Sequence, residues 1–375
     1  MNYQMNYTEI GFKLKQAREA TGISTRVAVT LLPKNLKVSH VTLTNYESGK
    51  YQPPLDILAA LANLYQRPIN WFLENSPTLT GIHYRNKKSK IGVHELAQFE
   101  AIAQQWLEGY KRLDEEFNSI RRKIKFEINP NGTGAEAATA IRKHLDIDKT
   151  EPIISVIEVM EMAGIRVMEI STDLSIDAMS ARFGEEDVVV LNTNVPNDRC
   201  RLNAAHELGH VLFNDYADST SSNYKYLEDR AFEFASYLLL TKQMLKSAFW
   251  GKSMVRLVQF KERYGISLAA MIYRAQIEKI ISEHLAKHLW IEFSKRGWRQ
   301  EEPGHVNKDR ATRFEQVLES AISKQKITWQ QAAKITGIRE NLLRERVNLA
   351  IDANDSKILP QKGEDINISF LKNIN

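Results

Sequence analysis

Apolar side chains recur at helical spacing along most of this chain, in blocks set apart by strong breakers. Residues 8–75 predict a string of short helices, Phe12–Ala20, Thr25–Leu32, Ser39–Ser48 and Leu55–Tyr65, interrupted by Gly22, Pro33, Gly49 and the Pro53-Pro54 pair. Residues 76–130 read as a connector. A polar stretch with Arg85, Lys87, Lys88 and Lys90 leads into one long amphipathic helix, with Leu96, Phe99, Ile102, Ala103, Trp106 and Tyr110 at core spacing. That stripe predicts packing against a neighbouring domain or a second subunit. The run Asn129-Pro130-Asn131-Gly132-Thr133-Gly134 breaks any helix and opens the next block, 131–303, where helices alternate with two strand-like runs, Ile165–Ile170 and Val188–Leu191. Residues 304–351 are helical again, and 352–375 form a weakly patterned tail. The expected fold class is mainly α with a small β-sheet.

Composition narrows the class without naming a function. A length of 375 residues predicts two or three domains, and 43% apolar with 26% charged residues is ordinary for a globular protein. The single cysteine, Cys200, excludes a disulfide framework and a multi-cysteine zinc module. No apolar run approaches the ~20 residues needed to span a bilayer, and the polar start has no signal-peptide core, so no membrane partner and a cytoplasmic location are expected. The net charge of +5 is a mild bias toward anionic partners.

In the first block, Ser39 is a good N-cap for a short helix that ends at Ser48-Gly49. His40, Thr42, Thr44 and Asn45 offer polar groups outward from that helix, which suits a major groove. Leu14-Lys15-Gln16-Ala17-Arg18, Gly22-Ile23, the run Ser39 to Lys50 and Pro53 together resemble the lambda-repressor/Cro-like (XRE) helix-turn-helix family. The resemblance implies an Arg18–Glu47 ion pair, base contacts from His40, Val41, Thr42 and Asn45, and phosphate contacts from backbone amides and Lys50. Arg26 to Val38 is longer than the family's usual second helix and turn, and it carries Pro33.

The sharpest chemical signal is His206-Glu207-Leu208-Gly209-His210. Histidines at i and i+4 share one helix face, so both imidazoles reach one ion, and Glu207 can take a proton from a water beside it. Ala204, Ala205, Leu208, Val211, Leu212 and Phe213 predict a buried helix around them. A third ligand is needed. Glu228 opens the next helical pattern and is the leading candidate, with Asp229 and Glu233 as rivals. Of the other histidines, His83, His94, His144, His284, His288 and His305 show no second metal spacing; His284 and His288 are i and i+4 but lack an adjacent glutamate. Cys200 reads as an idle buried thiol.

This block resembles the ImmA/IrrE family of zinc metallopeptidases. The matching pieces are Val188–Asn192, Arg199-Cys200-Arg201, His206–His210, Glu228 with Ala231, Phe234 and Ala235, Trp298-Arg299 and Glu302-Pro303. The resemblance implies a zincin-like HExxH domain with His206, His210 and Glu228 on Zn²⁺, and Glu207 as the base. It also implies cleavage of repressor-like transcription factors. Phe232 stands where the family has Asn or Asp, and Thr241 where it has Pro, which imply weak or conditional activity. Val188–Leu191 with Asn192 is either an edge strand to which an extended substrate adds or a plain core strand. Ile327 to Ala333 with Thr336-Gly337-Ile338 resembles half of another helix-turn-helix, and is expected to cap the peptidase or bind a partner.

The whole reads as a DNA-binding regulator with a zinc endopeptidase that cleaves a repressor, or itself, under stress or phage signals. The expected partners are a DNA operator, a repressor-like substrate and a second copy of the chain in a homodimer. Two other classes fit the same residues: a transcription factor whose peptidase fold serves as a sensor, and an antitoxin-like binding module.

Overall fold

The computed structural model describes residues 7–74, 76–85, 92–117, 123–215, 222–251 and 253–354. Lys87, Lys88 and Lys90, and the tail beyond 354, lie outside them. The protein is mainly helical with one small sheet, and it divides into two compact units. Unit 1 is Met1–Leu79, Lys88–Ile120 and Thr312–Asn375; unit 2 is Thr80–Lys87 and Arg121–Ala311.

Unit 1 begins with α1 (Tyr7–Thr21), α2 (Thr25–Leu31), α3 (His40–Glu47) and α4 (Leu55–Leu64), followed by a 3₁₀ turn over Ile69–Leu73. Serines set two of the starts: Ser24 accepts the Val27 amide, and Ser39 accepts the Thr42 amide. Leu14, Ala28, Leu43, Leu61, Trp71 and Phe72 fill the core between the helices. The Arg18 guanidinium donates to both Glu47 carboxylate oxygens at 2.6 and 2.9 Å, a bidentate pair that locks α1 to the end of α3. The long segment before α3 folds as α2 and a turn-rich stretch through Pro33.

The amphipathic helix of the connector is α5 (Val93–Glu116). Its stripe is satisfied within the chain. One part packs on α1; Tyr110 and Leu113 join Phe314, Leu318, Ala332 and Leu343 from α14 (Arg313–Ser323), α15 (Trp329–Thr336) and α16 (Glu340–Asn354). The C-terminal helices therefore build a core with α5 in unit 1, in place of the expected cap on the peptidase.

Unit 2 holds β1 (Leu79–Arg85) from its second residue onward, α6 (Gly134–His144), α7 (Val156–Met162), β2 (Arg166–Ile170), β3 (Ala178–Phe183), β4 (Glu186–Asn192) and six further helices. The strand order is β1-β3-β4-β2, with β4 antiparallel to β3 and parallel to β2. β3 and β4 are joined by a two-residue turn in which Gly184 takes a φ of 63°. Of the two readings the core strand holds and the edge strand does not: Val188–Leu191 is interior, paired on both sides, and its unbroken apolar run is what a central strand with both faces covered requires. β1 lies at the sheet edge beside β3.

α8 (Asn197–Phe213) and α9 (Tyr224–Leu239) pack against each other, and α6 packs on α9. The last contact is backbone to backbone: a Cβ at Gly134 would sit 2.4 Å from both the Arg230 carbonyl oxygen and the Phe234 nitrogen. Main chain cannot yield as a side-chain end does. Gly134→Ala is therefore expected to destabilise the protein by about 1–3 kcal/mol, read as a fall in melting temperature of about 2–4 °C per kcal/mol for a unit of this size.

Candidate metal centre

α8 is buried along most of its length although it carries Asp198, Arg199, Arg201, His206, Glu207 and His210. Most of these charges are matched by partners. Arg201 donates to the Ile153 and Ile154 carbonyls and to Asp309, and Lys261 bridges Asp198 at 2.8 Å and Glu302 at 3.1 Å. Glu302 also accepts the Leu268 and Ala269 amides at the start of α12 (Leu268–Ile277). Arg199 pairs with Asp177. These ties fix the axial position of α8, and hence of its histidines.

One turn apart, His206 and His210 point their Nε2 atoms at each other, 2.9 Å apart. Glu228, in the first turns of α9, meets both: Oε2 is 3.5 Å from His206 Nε2, and Oε1 is 3.2 Å from His210 Nε2. A tetrahedral zinc with bonds near 2.0–2.1 Å sets its ligand atoms about 3.3 Å apart, so these three edges match that donor set. Unpartnered atoms point the same way. Both Glu207 oxygens are buried with no hydrogen-bond partner among the described residues, and a cation offsets the cost of burying such a carboxylate. The residues fit a zinc of the two-histidine, one-glutamate kind.

Electrostatics favour the ligating forms. Burial, reinforced by the Arg85 cation, lowers His206 to about 4, so its ring is neutral and free to bind metal. Burial works against the Glu207 charge, but His83, His210 and His206 outweigh it and hold the carboxyl down at about 2. Burial likewise opposes ionisation of Glu228, and His206, His210 and His83 overcome it, holding this group well below the usual carboxylate range. Of the rivals for the third position, Glu233 is committed elsewhere, accepting the Gly134 amide.

Sequence spacing missed His83. It comes from β1 and is nearly fully buried in the same cluster, with Nε2 3.0 Å from Glu228 Oε1 and Nδ1 3.9 Å from Glu207 Oε2. Its ring lies 4.3 Å from that of His210 and 5.8 Å from that of Tyr224. One ligand atom each from His83, His210 and Glu228 falls within 4.8 Å of the others. Burial opposes protonation of His83, but Glu207 and Glu228 raise it to about 9 in the metal-free chain.

Asn192 is buried at the end of β4. Its amide donates to the Thr172 and Ile176 carbonyls and accepts the Thr172 and Asn194 amides, so it pins the loops around β4. Phe232 packs edge-on to Tyr273 at 5.9 Å, an apolar contact where a polar residue was expected. Thr241 caps α10 (Lys242–Ala248), which is a sound replacement for a proline at a helix start. On α3, His40, Val41 and Thr44 are exposed, as is Lys50 beyond it, whereas Thr42 and Asn45 are half-buried. The Thr42 hydroxyl is also within 2.8 Å of the Ser39 hydroxyl.

Cys200 is buried, and burial pushes its thiol up to about 12. At pH 8 its thiolate fraction is on the order of 10³-fold below that of a free cysteine. Alkylation by iodoacetamide should therefore be correspondingly slow in the native protein and ordinary in denaturant; equal rates would show that this stretch of α8 is open.

Two family models match the chain: a helix-turn-helix domain over residues 9–70 and an IrrE N-terminal-like domain of the peptidase M78 type over 160–276. No curated protein and no solved structure matches it. The second match takes in His206, Glu207, His210 and Glu228 and leaves His83 outside. The chain thus joins a helix-turn-helix DNA-binding domain to an IrrE-like domain of the M78 peptidase type.

Proposed function

We propose that this protein is a DNA-binding regulator whose second unit is a zinc-dependent endopeptidase acting on a repressor-like protein, or on the chain itself. The observation that carries the reading is the convergence of His206 Nε2, His210 Nε2 and Glu228 beside an unpartnered, ionised Glu207. His206, His210 and Glu228 would hold the ion. Zinc there supplies a Lewis acid that acidifies a water and polarises the scissile carbonyl. Glu207, already a carboxylate, accepts the proton of the attacking water and delivers it to the departing amine. Tyr224 keeps its proton, because burial and the nearby Glu228 and Glu207 charges raise its pKa, and its hydroxyl is available as a donor.

In unit 1, α3 is the proposed recognition helix, with His40, Val41, Thr42 and Asn45 toward base edges and Lys50 on the phosphates. Fusion to that domain raises the concentration of the peptidase near any protein that shares the operator. The stress or phage signal belongs to the same proposal. A second reading, a metal-holding sensor without turnover, is favoured by the apolar seat of Phe232 and by the lack of partners for the two histidine Nδ1 atoms among the described residues.

Glu207→Gln should bind zinc as the wild type does and lose about 10²–10⁴-fold in hydrolysis of a co-encoded repressor. Equal cleavage by both proteins would assign the proton transfer elsewhere, and no cleavage by either would favour the sensor. On DNA, Asn45→Ala should cost about 1–3 kcal/mol at one base position. Lys50→Ala should weaken all sequences alike and flatten the salt slope by about one unit in a mobility-shift titration.

A further inference from the structure

We propose that His83 is a fourth protein ligand of this metal, so that β1, seated in the sheet, closes the coordination position that hydrolysis needs. The inference rests on the metal reading of His206, His210 and Glu228 given above and goes beyond it. A catalytic zinc keeps one position open for water, whereas four protein ligands make a closed site. Four of the six edges of the donor cluster are short: 2.9, 3.2 and 3.5 Å among His206, His210 and Glu228, and 3.0 Å from His83 Nε2 to Glu228 Oε1; a ligand atom of His83 also lies within 4.8 Å of His210, while His206 falls outside that closer group. The short edges lie near the ~3.3 Å edge of a zinc tetrahedron. The other His83 nitrogen faces Glu207, the group that would otherwise govern the water, at 3.9 Å.

The backbone places His83 there by the geometry that an extended substrate would use. β1 occupies the sheet edge beside β3, where a peptide adds as an extra strand. Two further contacts seat it: Arg85 Nε donates to Asn203 Oδ1 at 2.8 Å, one turn before His206 on α8, and the Arg85 carbonyl accepts the Asp177 amide. The strand thus fills the substrate edge and its histidine fills the metal position, as an inhibitory segment does. Covalently, the residues on both sides of Thr80–Lys87 belong to the helix-turn-helix unit, so the chain that closes the site is continuous with the DNA-binding unit at both ends. Opening the site means withdrawing β1.

The test uses the full-length protein, stripped by chelator and reloaded with Zn²⁺ or Co²⁺, as wild type, His83→Phe, His83→Gln and His210→Ala, with folding checked by circular dichroism. The phenylalanine keeps the ring volume, and the glutamine tests a smaller polar replacement. Wild type should hold one ion per chain, and its cobalt absorption should be indifferent to a peptide hydroxamate. Both His83 variants should keep one ion per chain and release it to a competing chelator at least about tenfold more readily. Their cobalt spectra should shift on adding the hydroxamate, which reports an open position. Unchanged affinity in folded His83 variants, or a hydroxamate response in the wild type, would overturn the assignment of His83 while leaving the three-ligand site standing. Absence of metal from the wild type, matched by His210→Ala, would overturn the metal reading itself.

Discussion

The approach of α8 to α9 is the constraint on which the rest of unit 2 depends. A Cβ on Gly209 would meet the Phe234 ring at 3.1 Å and the Ala231 Cα at 3.3 Å, so a larger residue there would push the helices or the Phe234 ring apart by a few tenths of an ångström between the two histidines. At that separation a carboxylate in the first turns of α9 reaches the Nε2 atoms of α8. The same closeness excludes water and leaves Glu207 fully buried. Burying ionisable groups costs several kcal/mol each unless an opposite charge is present. The packing that builds the site therefore also creates the demand for a cation, and a metal bound there would stabilise the folded state by an amount that grows with the logarithm of its affinity.

The remaining charges on α8 serve that geometry. Arg201 reaches the Ile153 and Ile154 carbonyls and Asp309, while Asp198, Lys261 and Glu302 tie its first turn to α11 (Met254–Tyr264) and to the start of α12. A helix sliding by a fraction of a turn would move His206 and His210 out of reach of Glu228. Side chains that look in sequence like isolated fragments, Arg199-Cys200-Arg201 and Glu302-Pro303, prove to be pieces of one polar frame around a buried helix.

What was legible in the sequence was local. The i and i+4 histidines, the adjacent glutamate and the helical periodicity of α9 all lie within a few turns, so spacing alone carries them. The same holds for the short helices of unit 1, whose caps and breakers sit beside the elements they end. β3 went unseen because Ala178-Met179-Ser180-Ala181-Arg182-Phe183 has no β-branched residue, and it becomes a strand by pairing with β4. β4 is legible as a strand, but its sequence leaves edge and core open, since nothing within it reports how many neighbours it has. His83 was invisible for a deeper reason: its partners are remote in sequence, and one histidine in a short stretch with Gly81 carries no periodic signal. The search for a second spacing passed over a residue that belongs to the first site.

On the proposal that His83 closes the metal site, that remote strand governs access to it. A segment tethered to its own binding edge competes at an effective concentration in the millimolar range for short flexible connections. Access then depends on the strand leaving the sheet, which costs its backbone hydrogen bonds, the Arg85–Asn203 contact and the burial of His83. On that proposal the helix-turn-helix unit and the metal site are joined by one strand whose flanking residues on both sides belong to the other unit, and no pathway through the core is required.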